Sequence, residues 1–144
     1  MTRKKIKFKN KVLKHEQTID LKGNKYVPTK LSFNFSFLTN DKKYNFNHLS
    51  KELKAKLVDK IQFLSSDDFV VVSNWDKNQG LEQIAENQIN ISIHPEFISS
   101  GRDELCGEKF WIFRLSSKGR VIEKLKDKTF FILSVDTSFD QYNH

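Results

Sequence analysis

The sequence is short of the residues that mark several large classes of protein. Its single cysteine, Cys106, excludes a disulfide framework and any cysteine-rich zinc site. Its five glycines and two prolines stand apart from one another. No glycine-rich phosphate loop, dinucleotide fingerprint or nucleophile elbow can be read among them, which removes the enzyme classes built on those motifs. No internal repeat or low-complexity tract is present. No apolar run approaches the roughly 18 residues of a membrane span. The basic N-terminus has no apolar stretch behind it to make a signal peptide, so the expected setting is the cytoplasm, with no membrane partner.

Aromatic residues are plentiful in the 144-residue chain: thirteen Phe, three Tyr and two Trp. They bury much area per residue and argue against disorder along the whole chain. Charge is unevenly placed. Lysine and arginine number 25 against 18 acids, a net +7. Residues 1–14 alone hold Arg3, Lys4, Lys5, Lys7, Lys9, Lys11 and Lys14 and no acid, so the rest of the chain is neutral in sum. Within that remainder, residues 66–108 carry nine acids against Lys77 and Arg102, and residues 109–128 carry seven basic groups against Glu123 and Asp127. A basic arm on a neutral body is either a phosphate contact driven by counterion release or a solvated tail. Lys4, Lys5, Lys7, Lys9, Lys11, Lys118 and Lys124 are the candidate nucleic-acid contacts. The expected organisation is a flexible basic arm over 1–14 and one α+β domain over 15–144.

Periodicity supplies the elements. Leu31, Phe33, Phe35 and Phe37 alternate with Ser32, Asn34 and Ser36, which predicts a half-buried strand over 31–37. Leu49, Leu53, Leu57, Ile61 and Leu64 then recur at helical spacing, predicting a helix over 48–64 capped by Asn47 or Ser50. Ser66-Asp67-Asp68 predicts a short second helix over 67–75, although Phe69-Val70-Val71-Val72 favours strand by propensity. Residues 81–86 read as loop with a helical turn, and Ile89, Ile91 and Ile93 as a strand ended by Pro95. Residues 109–115, 120–125 and 129–135 form an antiparallel meander, with Gly119 free to take a positive φ in the first turn. Four or five strands, largely antiparallel, with two helices on one face are the natural packing.

That order, with the helix pair over 48–75 and the basic meander over 109–115, 120–125 and 129–135, resembles the RelE/ParE-like toxin superfamily. The phrase Phe110-Trp-Ile-Phe-Arg-Leu, Gly119-Arg-Val-Ile and Phe130-Phe-Ile-Leu-Ser-Val-Asp is similar to small uncharacterised proteins of bacterial mobile elements. The ending Asp140-Gln-Tyr-Asn-His is also similar to that of these mobile-element proteins. The first resemblance implies a metal-independent endoribonuclease acting on mRNA, often on the ribosome, with no cofactor and a small antitoxin as partner. Such chemistry needs cations for the phosphorane charge and groups that move protons. The resemblance therefore implies Arg114, Arg120 and Lys118 on phosphate, and Tyr142 or His144 as proton carriers. Lysine and arginine beside a hairpin turn also serve as plain edge protection.

Other constellations are weaker. Asp136, Asp140 and His144 are spaced by four and could join His94 around a metal, but only if the tail were helical. No metal is expected. Cys106 reads as a small, partly buried residue beside Gly107, and most aromatics as core. Two further readings stay open beside the ribonuclease: an interaction or inhibitor protein of a phage or mobile element, and a sequence-independent nucleic-acid-binding module.

Overall fold

The computed structural model describes residues 27–142, so the basic arm and His144 lie outside it. The chain forms an α+β fold around a five-stranded sheet ordered β1-β5-β4-β3-β2. These strands are β1 (Ser32–Asn34), β2 (Leu81–Ile84), β3 (Phe110–Ser116), β4 (Gly119–Lys126) and β5 (Thr129–Asp136). β1 runs parallel to β5, and every other pairing is antiparallel. The meander β3-β4-β5 stands where the apolar runs and turn residues place it. Ile122 pairs with Ser134 but Glu123 with Ile132, so Leu133 is the extra residue of a bulge.

One face is covered by α1 (Lys51–Ser65) and α2 (Phe69–Val72). Ser50 caps α1, its hydroxyl accepting from the Leu53 amide at 3.2 Å. Asn47 does not cap it; it sits in a separate 3-10 turn, Phe46–His48, whose cap is Asn45. Leu57 and Leu64 enter a core with Leu31, Phe113, Val121, Phe130 and Ile132. α2 is shorter than the expected 67–75, because the Ser73 hydroxyl and the Asn74 amide both turn back to the Val70 carbonyl.

The opposite face has a cover that periodicity did not disclose. Phe97 of α3 (Pro95–Ser99) packs against Phe37, Phe110, Ile112, Ile122 and Leu133, and α4 (Arg102–Leu105) follows. Burial on both faces is what the unbroken apolar run of β3 requires.

Four expectations need correction. Residues 81–84 are an edge strand on β3, because Leu81 and Ile84 find apolar neighbours there. Residues 89–93 are not a strand. Ile89, Ile91 and Ile93 pack side chains onto the second core, with one isolated bridge from Ile89 to Tyr142. The strand at 31–37 stops at Asn34, whose side chain accepts from the Ser36 amide at 2.8 Å and turns the chain. Finally, the positive-φ residue of the meander turns is Asp127, at 55°. At Gly119 a Cβ would lie 3.2 Å from a Leu115 methyl, a tight contact.

Candidate functional site

The β3–β4 register sets Arg114 directly across from Arg120. Two like charges at facing positions are unfavourable unless neighbouring groups or a ligand offset them. Each guanidinium is held in place. Arg114 Nη1 donates to Asn78 Oδ1, in the loop that leads into β2. Arg120 Nη1 donates to the Ser116 and Gly119 carbonyls at 3.0 and 3.1 Å, and its guanidinium lies 5.1 Å from the Phe139 ring centre. The Nε atoms of both arginines are buried and have no hydrogen-bond partner among the described residues. Buried donors left idle are rare enough to need a reason.

Beside this pair opens a cleft of about 320 Å³, lined by Lys60 of α1, Asn78, Arg114, Leu115, Ser116, Ser117 and Arg120. The charged groups lining it are all cationic. The Lys60 ammonium donates to the Gln79 carbonyl, and partial burial lowers its pKa. A charge already depressed by desolvation gains most from an incoming anion. Lys118 is exposed on the adjoining turn, its amide held by the Ser116 hydroxyl at 3.0 Å.

Tyr142 reaches the same region through the tail, which is a compact turn and not a helix. The fully buried Asp136 carboxylate accepts from the amides of Ser138 and Phe139 at 2.9 Å and of Gln141 at 3.1 Å. Ser134 adds a hydroxyl bond to Gln141 Oε1 at 2.7 Å. Phe139 takes a φ of 58°, a left-handed conformation that the turn imposes. Tyr142 thereby lies against the second core, with its hydroxyl donating to Glu82 Oε1 at 3.4 Å. Burial, and after it the Glu82 carboxylate, push the phenol up to about 12, while Arg120 and Arg114 pull it down. It is protonated at neutral pH and serves as a donor, not a base.

Arg114, Arg120 and Tyr142 therefore come together from distant parts of the sequence. Glu82 joins them unforeseen, because residues 81–86 read as loop. Lys124 does not belong to any exposed surface. It is 1% exposed, its ammonium 2.8 Å from Asp103 Oδ1 and over the Phe110 ring at 4.8 Å. The covering helix α4 takes it into the second face, which corrects its assignment as a nucleic-acid contact. His144, Lys4, Lys5, Lys7, Lys9 and Lys11 lie outside the described residues.

The acids weighed for a metal have other duties. Asp136 holds the tail amides, and Asp140 holds Tyr44 Oη at 2.7 Å and Lys43 Nζ at 2.5 Å. Among the described residues no three His, Cys, Asp or Glu side chains cluster as a metal would need. Cys106 is partly exposed, with burial raising its thiol pKa. A larger cleft of about 410 Å³ sits at the opposite end of the sheet, where Asp127 and Lys128 bring one charge of each sign and no convergent set. Also among the described residues, no helix is long and apolar enough to cross a membrane. No protein-family model matches this chain, and neither a curated protein nor a solved structure does.

Proposed function

We propose that the protein is a metal-independent endoribonuclease of the RelE-like kind, acting on mRNA in the cytoplasm, with the ribosome and a small antitoxin as its partners. The observation that carries this reading is the facing pair Arg114 and Arg120, with idle buried donors, at a cleft whose charged lining is wholly cationic. A phosphate there would offset the like-charge pair, and two guanidinium groups suit the charge of a phosphorane. In the proposed reaction the 2′-oxygen attacks phosphorus and the bond to the 5′-oxygen breaks. Glu82 takes the proton from the 2′-hydroxyl, and the Tyr142 phenol protonates the leaving 5′-oxygen. The products are a 2′,3′-cyclic phosphate and a 5′-hydroxyl. The opening strand and helix pair and the closing meander also support the resemblance, with β2, α3 and α4 set between them.

The test is to map RNA 5′ ends in bacteria after brief induction of the wild type and of an Arg114→Ala, Arg120→Ala variant matched for expression. New ends with the wild type alone are expected. An unchanged RNA profile would remove the ribonuclease reading. One observation favours a second reading, a non-catalytic nucleic-acid-binding module: burial pushes the Tyr142 phenol up to about 12, far from neutrality. That reading expects binding through the same arginines without new RNA ends.

A further inference from the structure

The cationic cleft does not end at Lys60. Lys60 and Leu115 also line a shallower groove of about 300 Å³ along α1, whose other walls are Lys56, Asp59 and Phe63. Phe63 is a large apolar side chain left 41% exposed. Its ring stacks on Trp75 at 4.9 Å between centres and 30° between planes, and the Lys60 ammonium lies 5.3 Å from its centre. Trp75 is itself fixed from behind, because Gly80 approaches so closely that a Cβ there would come within 2.8 Å of the Trp75 Cβ. The result is a rigid aromatic pair with a lysine between it and the arginine pair.

We propose that this pair is a base-stacking subsite: the nucleotide next to the phosphate held by Arg114 and Arg120 lays its base on Phe63, and Lys60 turns from the Gln79 carbonyl to the connecting phosphate. The inference rests on the phosphate-site reading above and adds to it a single-stranded ligand. A paired base keeps its faces in the duplex stack, whereas an unpaired one offers them. Stacking on an aromatic side chain is tolerant of base identity, so the subsite grips single strands without selecting a sequence. Lys60 suits the exchange because its ammonium is partly desolvated and its hydrogen bond among the described residues is to a loop carbonyl.

The experiment uses the full chain and two labelled single-stranded hexamers with 2′-O-methyl riboses, which cannot be cleaved by 2′-oxygen attack. One carries uracil throughout, and the other is abasic with the same phosphates. Affinities are measured at one fixed salt concentration for wild type, Phe63→Ala, Phe63→Leu, Phe63→Tyr and the Arg114→Ala, Arg120→Ala variant. Phe63→Ala and Phe63→Leu are expected to weaken the base-bearing hexamer roughly five- to a hundred-fold and leave the abasic one unchanged. Phe63→Tyr should bind both as wild type does. Because Leu keeps the apolar volume on α1, a Phe63→Leu protein that binds both hexamers as wild type overturns the stacking subsite alone. If the arginine variant binds both hexamers as wild type, or wild type binds neither, the phosphate-site reading falls and the subsite with it.

Discussion

Replacing Glu123 should make the protein more stable near neutral pH, and the gain should grow with pH. Glu123 lies on β4 opposite Trp111 and Ile132, is fully buried, and has neither carboxylate oxygen hydrogen-bonded among the described residues. Burial alone raises its pKa well above the ordinary 4.5, so the native protein keeps a proton that the unfolded chain releases. Where the unfolded state binds fewer protons, stability falls as pH rises, by about 1.4 kcal/mol per pH unit for one group. That loss begins at the unfolded value and stops once pH passes the native one. Between pH 5 and 7 it amounts to about 2.7 kcal/mol if the native carboxyl stays protonated throughout, or roughly 10 °C in Tm for a domain of this size. Glu123→Leu and Glu123→Gln abolish the slope, and the Leu variant also removes an unpaired polar group from the core. Thermal melts of the three proteins at pH 5, 6 and 7 measure this directly, because every other titrating group is common to all of them. Curves that stay parallel across the range would refute the burial argument.

Three further outcomes follow from the packing. Asp103→Asn strands the Lys124 ammonium against Phe110 and the Gly107 carbonyl, so urea denaturation should show a loss of roughly 3 kcal/mol while the RNA affinity of the folded protein is unchanged. Gly80→Ala forces a methyl against the Trp75 Cβ and the Val72 carbonyl and should lower Tm and shift the Trp75 emission; a variant as stable as wild type would contradict that contact. The Tyr142 phenol is held protonated, so stability tied to it is complete below pH 10 and is lost as pH rises toward 12. Ultraviolet titration of wild type against Tyr142→Phe should show one phenolate transition missing from the variant, near pH 12, and a missing transition near 10 would contradict the burial.

Much of this was legible in the sequence where a residue's environment is set by its neighbours along the chain. The meander is an example: Phe110–Leu115 is apolar on both phases, and Ser116–Gly119 and Lys126–Lys128 break it at hairpin spacing. A short turn between Arg114 and Arg120 is enough to set them face to face. What stayed hidden depended on distant partners. Leu-Glu-Gln-Ile at 81–84 has too little apolar character to announce a strand, and it becomes one because β3 offers an open edge. Without that strand Glu82 cannot be placed beside Tyr142. Ile89, Ile91 and Ile93 alternate as a strand should, yet they pack their side chains onto the second core and their stretch makes backbone contact with the tail at Tyr142 and Gln141, not with a strand of the sheet. Lys124 occupies a regular strand phase, and only the position of α4 decides that an aspartate, not solvent, meets its ammonium.

The most direct test of the central claim is chemical. Purified protein is incubated with a defined mRNA bound to ribosomes and with the same RNA alone, and the ends of any fragments are identified. Cleavage by wild type that leaves 2′,3′-cyclic phosphates and 5′-hydroxyls, and is lost in Arg114→Ala, Arg120→Ala, is the predicted result. Intact RNA under both conditions, or fragments with 5′-phosphates, would contradict the account.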